Sequence, residues 1–220
     1  MTLEVIDVET APNPTASIII LHGLGADGND FVPVAHELDL THVGPVRFVF
    51  PHGPTRPVTI NGGHVMRAWY DILGTDIARR EDEAGLRASQ ALVEALIAQE
   101  RARGIPASRI VLGGFSQGCA MTLMAGLRHS ERLAGLLGMS GYLPLADTTA
   151  AERSAANAGV PIFLAHGRSD PVIALARATA SRDALQALGY PVEWHDYPMP
   201  HSVCAQEIAD INRWLLKVLA

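Results

Sequence analysis

The 220-residue chain is poor in cysteine, with Cys119 and Cys204 its only two. Neither sits in a C-x-x-C or in a Cys/His cluster of zinc spacing, so no disulfide framework or structural zinc site is expected, and the cytoplasm is the expected compartment. No uninterrupted apolar run approaches the roughly 20 residues that cross a bilayer, so stable membrane insertion is not expected. The first residues, Met1-Thr2-Leu3-Glu4-Val5-Ile6-Asp7, bring acids where a secretory signal brings basic residues. The formal net charge is −6 and there is no basic run, which argues against a surface that tracks nucleic-acid phosphates. None of the nine histidines falls in an H-E-x-x-H pattern, so metal-assisted hydrolysis has no support. Internal repeats, linkers and low-complexity segments are also lacking.

What the chain does have is a regular succession of short apolar segments. Ser17 to Leu21, Val46 to Phe50, a short segment starting at Ile110, Leu133 to Met139, Val160 to Ala165 and Val192 to Tyr197 read as strands, and Leu3 to Val8 as an edge strand. Helices are expected between them. The first runs from Phe31 towards Leu38 under a cap from Asn29 or Asp30, and the second starts at Glu81-Asp82-Glu83 with Leu86, Val93, Leu96 and Ile97 as its stripe. A third reaches about Arg128, a fourth runs from Pro171 to Leu188, and a last one carries Ile208, Ile211, Leu215 and Val218. Pro51 to Arg80 reads as a long ordered loop around Arg67-Ala68-Trp69-Tyr70-Asp71. Buried strands alternating with helices predict an α/β fold: one domain over residues 1–220, a mostly parallel twisted sheet with helices on both faces and no large lid domain. In such sheets ligands gather at the carboxyl ends of the strands.

One of these ends carries Gly114-Phe115-Ser116-Gln117-Gly118, a G-x-S-x-G nucleophile elbow. The chemistry needs a hydroxyl at a sharp strand-to-helix turn, exposed to a substrate carbonyl, with glycines where strand and helix cross closely. The competing reading is that Ser116 only N-caps the following helix. A serine hydroxyl also needs a base and a carboxylate that orients it. The order Ser, Asp, His is that of α/β-hydrolases, and Asp170 and His201 each follow a predicted strand, giving a Ser116, Asp170, His201 triad. His201 could otherwise be an ordinary loop residue. His195, inside the last strand, and His166, beside the acid loop, are its rivals. Asp170 before Pro171 has the alternative role of a helix cap, with Asp196 as fallback acid. The oxyanion would be met by the backbone N–H groups of Gln117 and Leu24. Trp69 and Tyr70 are either core aromatics or a wall of the substrate pocket. Gly23, Gly25 and Gly28 also match G-x-G-x-x-G, so a dinucleotide site is a second reading, weakened by the lack of an acid after the next strand and by Pro33.

These residues resemble the carboxylesterase and acyl-protein thioesterase (phospholipase/carboxylesterase) family of α/β-hydrolases. The resemblance rests on Leu21 to Gly25, Arg67 to Asp71, Glu81 to Gly85, Arg109 to Gly118, Ser140 to Pro144, His166-Gly167 with Asp170-Pro171-Val172, and His201-Ser202. It implies the same triad and oxyanion donors and a cofactor-free serine hydrolase acting on small carboxylic esters or thioesters, lysophospholipids included, of short to medium acyl chain. It also implies relatives that form homodimers. Cys119, Ala174 and Pro200 depart from the family pattern, and Pro200 bears on how His201 is presented. A binding protein with this fold and an idle triad is the alternative of a different class.

Overall fold

In the computed structural model, which describes residues 3–74 and 81–220, seven strands form one sheet. Along the chain come β1 (Val5–Glu9), β2 (Ala16–Leu21), α1 (Val32–Glu37), β3 (Val46–Pro51), the hairpin strands β4 (Thr55–Val58) and β5 (His64–Arg67), and α2 (Glu83–Ala102). Then follow β6 (Ile110–Phe115), α3 (Gln117–Gly126), β7 (Gly135–Met139), α4 (Ala146–Glu152), β8 (Ile162–Gly167), α5 (Leu175–Ala187), β9 (Val192–Tyr197) and α6 (Ala205–Val218). The sheet order is β1-β3-β2-β6-β7-β8-β9, parallel throughout except for β1, which pairs antiparallel with β3 at the edge.

Alternation along each strand sorts its side chains between two cores. Ile19 and Leu21 of β2 pack with Leu112 and with Leu86, Val93 and Ile97 of α2, whereas Ile18 and Ile20 pack with Phe48, Val111 and Ile211 and Leu215 of α6. Both faces are therefore dry, and this is why the strands read as continuous apolar runs rather than as alternating ones. The α/β-hydrolase arrangement expected from the sequence is the one found.

Several local expectations are corrected. Asn29 and Asp30 do not cap α1; Asp27 accepts from the Asn29 amide at 2.8 Å and caps a 3-10 turn over Gly28–Phe31, after which α1 starts without a side-chain cap. The stretch read as loop from Pro51 contains the β4–β5 hairpin, paired from Thr55–Arg67 to Val58–His64; residues 75–80, its end, lie outside the described residues. Helix α4 lies between two strands where no helix was expected, and α5 starts at Leu175 rather than at Pro171.

The strand order changes side at β2, since β3 is added on one side of it and β6 on the other. A crevice opens at the carboxyl ends at such a switch point. Register brings Leu21 opposite Gly114, Phe115 opposite Met139, and Met139 opposite Ala165, so the turns that follow β2, β6, β7 and β8 emerge along one rim.

Candidate active site

Ser116 occupies the turn between β6 and α3 with φ 56° and ψ −115°, a conformation that a side chain adopts only under constraint from its surroundings. The constraint is visible. Its amide donates to Met139 O at 2.9 Å, and glycines on either side let α3 cross β2: a Cβ on Gly118 would strike the carbonyls of Leu21 and His22, and one on Gly114 would strike the Gly118 backbone. Although Ser116 stands at the N-cap position, its side chain makes no cap hydrogen bond. Its Oγ lies 3.0 Å from His201 Nε2.

His201 follows β9 on a loop that presses against Gly167, where any side chain would meet the Pro200 and Met199 carbonyls. Its Nδ1 is 2.6 Å from Asp170 Oδ2. With the proton on Nδ1, the imidazole donates to the carboxylate and offers Nε2 as acceptor to the Ser116 hydroxyl, the tautomer a general base needs. The ring leans on Phe115 with centroids 4.7 Å apart.

Asp170 is not the cap of α5. Its side chain is fully buried in a tight turn, where Oδ1 accepts from the amides of Val172 at 2.8 Å and Ile173 at 2.9 Å. That leaves Oδ2 for His201. His166, fully buried on β8, braces the same turn from Nε2 to Ile173 O at 2.8 Å and lies 3.4 Å from Asp170 Oδ2. His195 is stacked on Phe163 with centroids 4.9 Å apart and sits 3.2 Å from Glu193. Asp196 is held by Arg168 at 2.5 Å. Neither of these two joins the Ser116 cluster.

A cleft of about 60 Å³ opens at Ser116, lined by Leu24, Tyr70, Ile72, Gln117, Tyr142, Val172 and Ile173. Among the described residues, the Leu24 and Gln117 amides have no protein acceptor, while their neighbours Gly25, Ala26 and Ser116 do. A larger hollow of about 640 Å³ lies at the amino ends of β6, β8 and β9, remote from these groups. Tyr70 forms part of the cleft wall, its hydroxyl 2.8 Å from that of Tyr142; burial, with Tyr142 close by, holds its phenol well above the usual range. Trp69 does not line the cleft and lies in the core behind it. The glycines of the G-x-G-x-x-G pattern serve other ends: Gly25 has φ 77°, and Gly28 packs so closely on the Phe50 carbonyl that a Cβ would strike it. A 3-10 turn follows instead of a long phosphate-binding helix.

A family model described as phospholipase/carboxylesterase matches residues 3–219. The chain belongs to this family. It is accordingly a hydrolase of the esterase and thioesterase class. The chain is 40% identical over 206 residues to acyl-protein thioesterase 1 of Yarrowia lipolytica, covering 91% of each. It is 41% identical over 214 residues to acyl-protein thioesterase 1 of Neurospora crassa, covering 93% of this chain and 87% of the other. The crystal structure of Zea mays acyl-protein thioesterase 2 superposes with a TM-score of 0.88 at 29% identity, covering 99% of both chains.

In this phospholipase/carboxylesterase family member, sequence reasoning passed over His22, the Gln117 side chain and Tyr142. His22 is buried, with Nδ1 2.7 Å from Gly23 O and Nε2 accepting from the Gly53 amide at 2.9 Å. Burial keeps its pKa low, so the neutral ring that can accept at Nε2 is favoured. Its place directly before the Gly-rich turn was the available signal. Cys119, one turn beyond Ser116, has its thiol pushed up to about 12 by burial, which makes it an inert core residue. Among the described residues no helix is long and apolar enough to cross a membrane.

Proposed function

We propose that this hydrolase cleaves carboxylic esters and thioesters of short to medium acyl chain through an acyl-enzyme, with Ser116 as nucleophile, His201 as general base and acid, and Asp170 orienting the imidazole. The observation that carries the reading is the hydrogen-bonded line from Ser116 Oγ through His201, 3.0 Å on one side, to Asp170, 2.6 Å on the other. Its supports are the strained turn under Ser116 and, among the described residues, the lack of a protein acceptor for the amides of Leu24 and Gln117, two residues that line the cleft.

In the first half-reaction the Ser116 oxygen bonds to the acyl carbon and its proton passes to His201 Nε2. Negative charge moves to the carbonyl oxygen, where the N–H groups of Leu24 and Gln117 would receive it. Collapse of this adduct breaks the bond to the alcohol or thiol, which leaves with the proton from His201. Water then attacks the acyl group on Ser116, giving up its proton to His201. The second collapse releases the carboxylic acid and returns that proton to the Ser116 oxygen. The relatives named as acyl-protein thioesterases favour thioesters among the candidate substrates.

Ester and thioester turnover by the purified protein, compared with that of Ser116→Ala, tests the proposal. Turnover should fall by several orders of magnitude, about 10⁶-fold where comparable triads have been dissected. A fluorophosphonate should label the wild type once and leave Ser116→Ala unlabelled; full labelling of that variant would remove Ser116 from its role.

A further inference from the structure

We propose that Trp69 is a positioning residue that ties the two oxyanion donors to one another, so that the Leu24 and Gln117 amides converge on a single point. This rests on the assignment of those amides made above. Residues 67 to 70 run between the two segments that carry them. On one side, Arg67 O accepts from the Gly25 amide at 2.9 Å and the Trp69 indole Nε1–H donates to His22 O at 2.9 Å, so the chain is held both before and after Leu24. On the other side, the Trp69 amide donates to Gln117 Oε1 at 3.0 Å while Gln117 Nε2 donates to Tyr70 O at 2.9 Å. The Gln117 side chain thus closes a ring on the same segment, and its backbone is the first residue of α3.

Trp69 is 0% exposed, and a core ring can be buried by apolar contact alone. Here each of its three polar groups has a separate destination: the indole N–H on the Leu24 turn, the amide N–H on Gln117, and the carbonyl on Ser89 Oγ of α2. His22 is fixed in turn by the Gly53 amide at 2.9 Å, and Arg67 Nη1 reaches Gly53 O at 2.9 Å. An oxyanion hole works through donors already aimed where charge will develop. Two amides on separate turns need a shared support for that, and a misplacement of about 1 Å costs on the order of 100-fold in rate.

The experiment replaces Trp69 with 3-benzothienylalanine, in which sulfur takes the place of the indole N–H at nearly constant volume. A second variant, Gln117→Met, keeps the backbone N–H and severs both bonds to residues 69 and 70. Each should lower kcat for an ester by about 10- to 100-fold with KM within about twofold. Affinity for a substrate-like trifluoromethyl ketone, which forms a tetrahedral oxyanion adduct, should fall by the same factor as kcat/KM. The proposal is overturned if kcat stays within about twofold of wild type in both variants, or if kcat falls without a matching loss of ketone affinity. It is also overturned by a lowered melting temperature with kcat and KM impaired together, which marks a packing role. Failure of the underlying reading is separate, because it would appear as fluorophosphonate labelling of Ser116→Ala.

Discussion

A residue in this chain can be placed by its hydrogen bonds where its chemistry alone leaves two roles open. Asp170 before Pro171 has the sequence of a helix cap, yet its two oxygens divide between backbone amides and His201. Asp170→Asn should keep the turn, because an amide oxygen still accepts from Val172 and Ile173, while its NH₂ group opposes the required imidazole tautomer. We expect kcat to fall by about 10⁴-fold at an unchanged melting temperature; an ester assay beside a thermal melt checks both, and a loss under tenfold would remove Asp170 from the proposed role. Glu207, on the first turn of α6, is fully buried, and among the described residues neither of its carboxyl oxygens makes a well-formed hydrogen bond. Burial, assisted by the Asp210 charge and opposed by the Cys204 amide, pushes its pKa up to about 8 from 4.5. The folded state then binds the extra proton between these values, so ΔG of unfolding falls as pH rises. The stabilisation is whole below about pH 4.5, declines through the interval and is gone above about pH 8. Glu207→Gln should flatten that decline and raise stability at pH 8.5 by about 1 to 3 kcal/mol in urea titrations. Equal pH slopes in the two proteins would show that Glu207 does not titrate as described.

At the scale of elements, the crossing of α3 over the end of β2 sets the site. Gly118→Ala puts a methyl group against the Leu21 and His22 carbonyls, so α3 must shift and carry the Ser116 turn with it. A loss of about 1 to 3 kcal/mol of stability is expected, together with a drop in kcat; an alanine variant with wild-type melting and turnover would show that the close approach has no consequence. The same elements show what could be read beforehand. The inner parallel strands β2, β3, β6, β7 and β8 were legible because both faces of each are covered, as Ile18 and Ile19 on opposite cores illustrate. The β4–β5 hairpin was not, because its strands are four residues long and stand outside the main sheet with Val58 their one buried side chain. The start of α5 was misplaced since Asp170 looks the same as a cap whichever amides it receives. The Ser116, Asp170 and His201 cluster was visible through an elbow motif and chain order. The support from Trp69 was not, because a buried tryptophan carries no sequence sign of where its N–H points.

For the molecule as a whole, two cores share one sheet as their common wall, and every strand of β2, β3, β6, β7 and β8 contributes to both. We propose that residues 1–220 unfold as one domain: urea transitions followed by tryptophan fluorescence and by far-ultraviolet circular dichroism should coincide. Separate midpoints would divide the chain. The coincidence matters for catalysis, since Ser116, Asp170 and His201 come from turns after β6, β8 and β9 and are brought to one rim by the sheet between them. Their joint action can be caught in a single experiment. Protein mixed with an activated ester and quenched in acid within milliseconds should gain the mass of one acyl group, located by peptide mapping on Ser116 and disappearing at the rate of turnover. An acyl group on any other residue, or full turnover with no acylated protein at any time, would contradict it.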